Sequence, residues 1–360
     1  MKPYKLIISG GGTGGHLYPA LAIADEFKFR HANAEILFVG ALGRIEMDKV
    51  PKAGYRIIGL WVDGIQRSFS FRNLIFPLKL VLSLLKSILV LLKFRPDVVV
   101  GTGGFASGPI LFMAGLFKIP TLIQEQNSYP GITNKLLSKK VMTIAVAYHG
   151  LERFFPKDKL NLTGNPIRKS IANGKLNPTD AKAFFEQTTD KPTLVVLGGS
   201  LGAMRINQLI AANLDTFKKQ GLQLIWQCGS LYFKQFKKHQ SNSVKVIPFV
   251  TEMDQLYSAA DIIISRSGAA TLSELCCAAR PALLVPSPNV TEDHQYHNAR
   301  ALADRGAALV IAEKNLDQDF KKVFSQLLDP NKRQQIAENL KKLAQPQATS
   351  KIVNLIEELI

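Results

Sequence analysis

The sequence predicts an α/β protein of two Rossmann-like parallel-sheet domains facing a cleft, and three observations carry that reading. Its 360 residues suit two domains of ~150 residues better than one. Short β-branched runs without polar alternation are separated by helical patterns, which marks parallel strands buried on both faces. The chain also repeats itself. LIISGGGTGGH at 6–16 echoes LVVLGGSLGA at 194–203, and DVVVGTGGFASGPILFMAGLFKIPTLI at 97–123 echoes DIIISRSGAATLSELCCAARPALLV at 261–285. Each copy reads strand, small-residue loop, helix, and two copies of one unit make two similar halves.

Strands are expected at 4–9, 35–39, 97–101, 120–123, 193–197, 222–226, 261–265 and 281–285. Helices fit between them at 17–30, 74–94, 106–117, 131–139, 203–219, 270–279 and 294–304. A Gly-Asn-Pro turn within 158–170, followed by polar residues, divides the chain into domains over 1–163 and 164–345. The tail 346–360 ends in an amphipathic helix, apolar at 352, 353, 356, 359 and 360, that packs back on the first half.

Apolar residues make up 46% and charged residues 20%, which excludes a disordered, collagen-like or disulfide-stapled chain. Lys+Arg minus Asp+Glu is 45 − 28 = +17, which suits a polyanionic or anionic-lipid partner or reflects a general richness in lysine. Three cysteines, Cys228, Cys276 and Cys277, are an odd count without metal spacing and point to a reduced, cytosolic protein. The N-terminus lacks signal-peptide anatomy, and no apolar run is long and uncharged enough to span a membrane.

GGGTGG at 10–15 fits G-x-G-x-x-G after a strand. A dinucleotide site would also need an acid at the end of the second strand, where Ala41-Leu42-Gly43 stands instead; Arg44 keeps a 2′-phosphate reading open. What the glycines establish is close backbone approach and helix-start amides suited to an anion. His16 follows at the mouth of that loop, where the positive end of the helix dipole disfavours its protonated form, as a general base at neutral pH requires. It also fits a histidine that only closes the turn. Glu125 is the rival base. Three more small-residue loops, at 102–109, 198–207 and 265–274, give each half two anion-suited turns, and Glu274 early in its helix can accept both hydroxyls of a ribose. Four such loops in register suggest substrates rich in phosphate. The one D-x-D, Asp317 to Asp319, reads as a solvated helix start, so metal is not implied and a departing diphosphate needs helix dipoles and a cation such as Arg168.

Residues 72–95 carry Arg72, Lys79, Lys86 and Lys93 every seven residues in an otherwise Leu/Ile/Val/Phe helix. One basic stripe results, which fits an interfacial helix with lysines at headgroups, or a core helix whose lysines mark its exposed edge.

GGGTGGHLYPA (10–20), QEQNSYPGITNK (124–135), GNPIR (164–168), GGSLGAMRIN (198–207), RSGAATLSE (266–274) and DHQYHNA (293–299), in this order, resemble the MurG family of bacterial UDP-N-acetylglucosamine:lipid I N-acetylglucosaminyltransferases over essentially the whole chain. The resemblance implies a GT-B fold, with an acceptor- and membrane-associating first domain and a UDP-GlcNAc-binding second one. It implies inverting transfer of GlcNAc from UDP-GlcNAc to the C4 hydroxyl of the MurNAc of lipid I, giving lipid II in peptidoglycan synthesis, without cofactor or required metal. The setting it implies is peripheral, on the anionic cytoplasmic face of the inner membrane, beside other cell-wall synthesis proteins and with no nucleic acid. By motif, His16 is the base, and Thr13, Gly14, Gly15 and Asn127 lie near the donor sugar. Arg168 and Ser200 meet the diphosphate, Val250 reads uracil, and Ala269, Ala270, Thr271, Leu272, Ser273 and Glu274 form the nucleotide loop with Glu274 on the ribose. Gln295 holds GlcNAc hydroxyls, and Gly103, Gly104 and Ser107 face the acceptor diphosphate. Arg72, Lys79, Lys86 and Lys93 match the membrane patch. The chain departs from many relatives at Gln124, where they carry His, and over 287–292. A diacylglycerol glycosyltransferase shares the fold and basic apolar patch but not the first motif through Asn127.

Overall fold

A computed structural model describes residues 2–64, 75–174, 176–199 and 201–360. They form two compact units: one runs to Ile167 and takes in Gln347–Ile360, and the other is Arg168–Pro346.

In the first unit, β1 (Lys5–Gly10), α1 (Gly14–Arg30), β2 (Glu35–Ala41), α2 (Glu46–Lys52), β3 (Arg56–Leu60) and α3 (Phe76–Phe94) are followed by β4 (Val98–Gly103), α4 (Ser107–Leu116), β5 (Thr121–Glu125), α5 (Ile132–Leu137), β6 (Thr143–Val146) and β7 (Leu160–Leu162). Every pairing is parallel, in the order β3-β2-β1-β4-β5-β6-β7. The chain therefore builds outward from β1, then crosses to β4 and builds the other way. The reversal leaves a crevice beyond the carboxyl ends of β1 and β4, where ligands bind in open α/β sheets. Alternate strand residues face opposite layers. Ile7, Val39 and Val99 pack with Leu91, Ile110 and Ala114 of α3 and α4. Leu6, Ile8 and Val100 pack with Leu17, Ile23 and Phe27 of α1.

The second unit contains α6 (Lys169–Asn173), α7 (Pro178–Phe184), β8 (Thr193–Leu197), α8 (Met204–Ala212), α9 (Leu214–Lys219), β9 (Gln223–Gln227), α10 (Phe233–Phe236), β10 (Val244–Ile247) and α11 (Met253–Ala259). It continues with β11 (Ile262–Ser265), α12 (Ala269–Ala278), β12 (Ala282–Leu284), α13 (His294–Ala303), β13 (Leu309–Val310), α14 (Leu316–Ser325) and α15 (Pro330–Leu343). Its strand order, β10-β9-β8-β11-β12-β13, puts a matching reversal between β8 and β11. The last helix, α16 (Ala348–Glu357), returns to the first unit, where Ile352, Val353 and Ile356 are fully buried with the α1 side chains. Each such burial contributes about 1.5–3 kcal/mol. At the far end of α1, Arg30 bonds Ser350, Asn354 and Glu357, and His31 bonds Glu357 at 2.8 Å.

All eight expected strands form, and five short ones join them: β3, β6, β7, β10 and β13. The helix expected over 203–219 breaks at Asn213, whose side chain turns back to bond the Leu209 carbonyl at 2.8 Å. The division falls after Ile167, not at 163/164, because Asn165 is stitched into the first unit: it accepts from Gln124 Nε2 at 2.9 Å and donates to the Gln126 carbonyl at 3.0 Å.

The basic helix corrects one expectation. Arg72 lies outside the described residues. Lys79 pairs with Asp63 and lies over the Trp61 ring, and Lys86 reaches the Gly59 carbonyl at 2.7 Å. These two ammonium groups are drawn back to the edge of the sheet. The α3 face turned to solvent is apolar instead, with Leu78, Val81, Leu82, Leu85, Leu89 and Leu92 exposed, while Ser83 and Ser87 face inward and bond backbone carbonyls. Lys93 remains exposed.

Candidate active site

At the first reversal, β1 ends in the glycine turn and Thr13 caps α1 in an extended conformation, so His16 falls in the first helical turn beside amides that have no intrahelical acceptor. Its backbone is tied on both sides: the N–H donates to the Thr13 carbonyl at 3.3 Å, and Thr102 Oγ1 donates to the His16 carbonyl at 2.8 Å. The imidazole, half-buried, lies against the turn after β4. A Cβ on Gly103 would stand 3.1 Å from its Nδ1, and one on Gly104 would stand 3.4 Å from its Cδ2 and 2.4 Å from the Gly11 carbonyl. Both residues also hold positive φ, +96° and +83°, so only glycine fits here.

Beside them, Glu125 ends β5 fully buried. Its carboxylate accepts from Asn127 N and Nδ2 (2.9 and 3.1 Å), Gly131 N (3.1 Å) and Asn134 Nδ2 (2.9 Å). Burial pushes its pKa up, against the four donors that pull it down. With both oxygens engaged it braces the 126–131 turn and has no free lone pair for a substrate proton, which leaves His16 as the candidate base. The bond to Asn127 also fixes that side chain next to the turn. Gln124 is buried and bridges Asn165 and Gln126. Ser107 is buried with its hydroxyl donated to the Gly104 carbonyl at 2.8 Å, so its proton is not on offer to a phosphate; it steadies the turn.

At the second reversal, Gly198 and Gly199 follow β8, and Ser200 lies outside the described residues. A Cβ at Gly202 would stand 2.1 Å from the Cys228 carbonyl, so this turn packs backbone to backbone on the one after β9. Gln227 props it, accepting from Gly198 N at 3.0 Å and donating to the Gly199 and Pro248 carbonyls at 2.9 and 3.1 Å. Beyond β11, Gly268 opens α12. Ala269, Ala270 and Thr271 form its half-exposed first turn, and Ser273 bonds the Ala269 carbonyl. Leu272 is fully buried, so its side chain belongs to the core and it can meet a ligand only through its backbone. Glu274, also buried, accepts the Tyr257 hydroxyl on Oε2 at 2.9 Å, and Arg168 Nε lies 4.0 Å from Oε1. Burial holds the Glu274 pKa above its ordinary value, with Arg168 and the Tyr257 bond opposing. Val250 is buried beside exposed Phe249, after β10. Gln295 pins the loop after β12, its Oε1 accepting Ser287 N at 2.9 Å and its carbonyl accepting Ser267 Oγ at 2.8 Å. Arg266, in the same motif, spends its guanidinium on the Val285 and Pro286 carbonyls and on Glu313.

Within each unit, then, the glycine turns open at carboxyl strand ends beside the reversal, while Val250 follows the edge strand β10 and Gln295 lies in α13 after β12. Three partners escaped sequence reading: Glu46, Gln227 and Tyr257. None of the three lies in a motif, and no helix is expected around Glu46, where the structure forms α2. Among the described residues, no three His, Cys, Asp or Glu side chains are grouped to hold a metal, and no helix is long and apolar enough to cross a membrane.

Two Rossmann-ordered sheets, each with a glycine turn opening a helix at its reversal, are the architecture of a GT-B glycosyltransferase. Residues 6–146 match the glycosyltransferase family 28 N-terminal domain and residues 193–359 its C-terminal domain. The chain belongs to this family, in its MurG branch of N-acetylglucosamine transferases. It is 52% identical to the UDP-N-acetylglucosamine--N-acetylmuramyl-(pentapeptide) pyrophosphoryl-undecaprenol N-acetylglucosamine transferase of Flavobacterium psychrophilum, over 100% of this chain and 99% of that one. It is 48% identical to the protein of the same name from Cytophaga hutchinsonii, over 100% and 98%. The crystal structure of Acinetobacter baumannii MurG superposes with a TM-score of 0.80 at 28% identity, covering 99% of this chain and all of that one.

Proposed function

We propose that the chain transfers GlcNAc from UDP-GlcNAc to the C4 hydroxyl of the MurNAc of lipid I, with inversion, forming lipid II. The observation that carries this reading is identity at about half of all positions, end to end, with relatives named for that transfer. His16 takes the proton of the acceptor hydroxyl as its oxygen attacks C1 of the donor sugar. The bond from C1 to the diphosphate breaks on the opposite face, its electron pair leaving with UDP, so a single displacement inverts the centre. Thr13, Gly14, Gly15 and Asn127 lie beside the sugar, while Gly103 and Gly104 offer backbone to the acceptor diphosphate. Arg168, Ser200 and the helix-start amides of the second unit meet the negative charge of the leaving UDP. Val250 reads uracil through its backbone. The 269–274 turn cradles the nucleotide with Glu274 on the ribose, and Gln295 orients GlcNAc.

The exposed leucine face of α3, with Lys93 exposed near its end, supports peripheral attachment to the anionic cytoplasmic face of the inner membrane: leucines enter the acyl boundary and Lys93 stays at the headgroups. Incubation with radiolabelled UDP-GlcNAc and either lipid I or diacylglycerol tests the reaction. Label is expected in lipid I alone; labelling of diacylglycerol with none in lipid I overturns the reading.

A further inference from the structure

Glu46 begins α2 and is fully buried, yet none of the roles above uses it. Its Oε2 accepts the Gly12 N–H at 2.9 Å and its Oε1 the Ala41 N–H at 3.0 Å, so one carboxylate ties the turn after β1 to the end of β2. The surroundings are cut to admit it. A Cβ on Gly11 would stand 2.2 Å from Glu46 Cδ, and one on Gly40 would stand 2.5 Å from Cγ. On its other side the same turn meets the Gly104 backbone, against which the His16 ring rests. A buried carboxylate held by two neutral amides is costly to desolvate, and a neutral acceptor could close the turn without that cost.

We infer that Glu46 is a positioning residue for the transfer: by holding the Gly12 amide inward it fixes the turn from which α1 starts, and so sets His16 against Gly103 and Gly104. The inference rests on His16 being the base. A misplacement of about 1 Å at a reacting group costs up to ~100-fold in rate. Glu46→Gln leaves one acceptor and turns an N–H donor toward the other amide. It should lower kcat ~10- to 100-fold on the full chain, while the KM values for both substrates and calorimetric UDP binding stay within about threefold. In a His16→Ala background, Glu46→Gln should remove nothing further, because it acts through the histidine. Turnover of E46Q within about twofold of wild type overturns the inference, as do losses that multiply in the double variant. If H16A itself keeps full turnover, the base assignment falls and takes this inference with it; an inactive H16A with a normal E46Q sinks the inference alone. Should E46Q fail to fold, Gly40→Ala displaces the carboxylate without removing it and should show the same selective loss of kcat; a normal kcat there counts against the proposal.

Discussion

The two glycine turns are propped from beneath by different chemistry. Under the first, Glu46 accepts amides from Gly12 and Ala41; under the second, Gln227 accepts from Gly198 and donates to the carbonyls of Gly199 and Pro248. A carboxylate can only accept, and it places negative charge below the turn that leads to His16. That acceptor-only character fits a turn whose amides point inward, as those of Gly12 and Ala41 do. The amide under the second turn is neutral and both accepts and donates, so it adds no charge there. Two turns of similar sequence thus rest on different props, and the proposed mechanism divides them further, giving the base to the first unit and the nucleotide diphosphate to the second.

The sharpest way to break this division is to remove the histidine. His16→Ala should cut kcat by about 10²–10⁴ while calorimetric UDP affinity is unchanged; a matching loss of UDP affinity would show that the first unit also holds the nucleotide. Next in size, Glu274→Gln should raise the donor KM by ~10- to 100-fold, the worth of hydrogen bonds to a charged acceptor, with kcat nearly constant. Because burial lifts the Glu274 pKa above the ordinary 4.5, its ionised form is lost on acidification before a solvated carboxylate would lose it. The wild-type donor KM should therefore climb as pH falls through that raised value, and the E274Q profile should be flat; parallel profiles would remove Glu274 from the ribose. Gln227→Glu makes the two props alike. It turns a carboxylate on two carbonyls and should destabilise the protein by about 1–3 kcal/mol in urea unfolding, weakening UDP more than it slows saturated turnover. An unchanged UDP affinity would mean that the character of the prop is immaterial. The smallest catalytic effect belongs to α3. Leu85→Glu/Leu89→Glu should leave turnover of a detergent-solubilised acceptor within about twofold yet abolish flotation with anionic vesicles. Lys86→Glu should weaken flotation less, since Lys86 is already committed to Gly59; equal flotation by all three proteins would take α3 off the membrane.

The alternation of strand and helix, the internal echo and the glycine turns were legible because each is a local pattern. β13 was not, being two residues long, nor β7, three residues long and only partly buried; in such short segments pairing with a neighbour decides the conformation. The site divides in the same way. His16, Glu274 and Gln295 sit in motifs, but what holds them comes from elsewhere in the chain: Thr102 on the His16 carbonyl, Tyr257 on Glu274, Ser287 on Gln295. The lysines of α3 were legible as a stripe, but not the carbonyl and carboxylate across on β3 and Asp63 that draw Lys86 and Lys79 inward.

The position of α16 on α1 has a consequence for biosynthesis. The first half of the chain leaves the ribosome first, yet the apolar flank of α1 is covered by Ile352, Val353 and Ile356, which follow the whole second unit in the sequence. Folding in order of synthesis leaves the first unit one helix short until α16 has emerged. A chain cut before Ile352 therefore leaves bare hydrocarbon on α1, a mark that chaperones and proteases read.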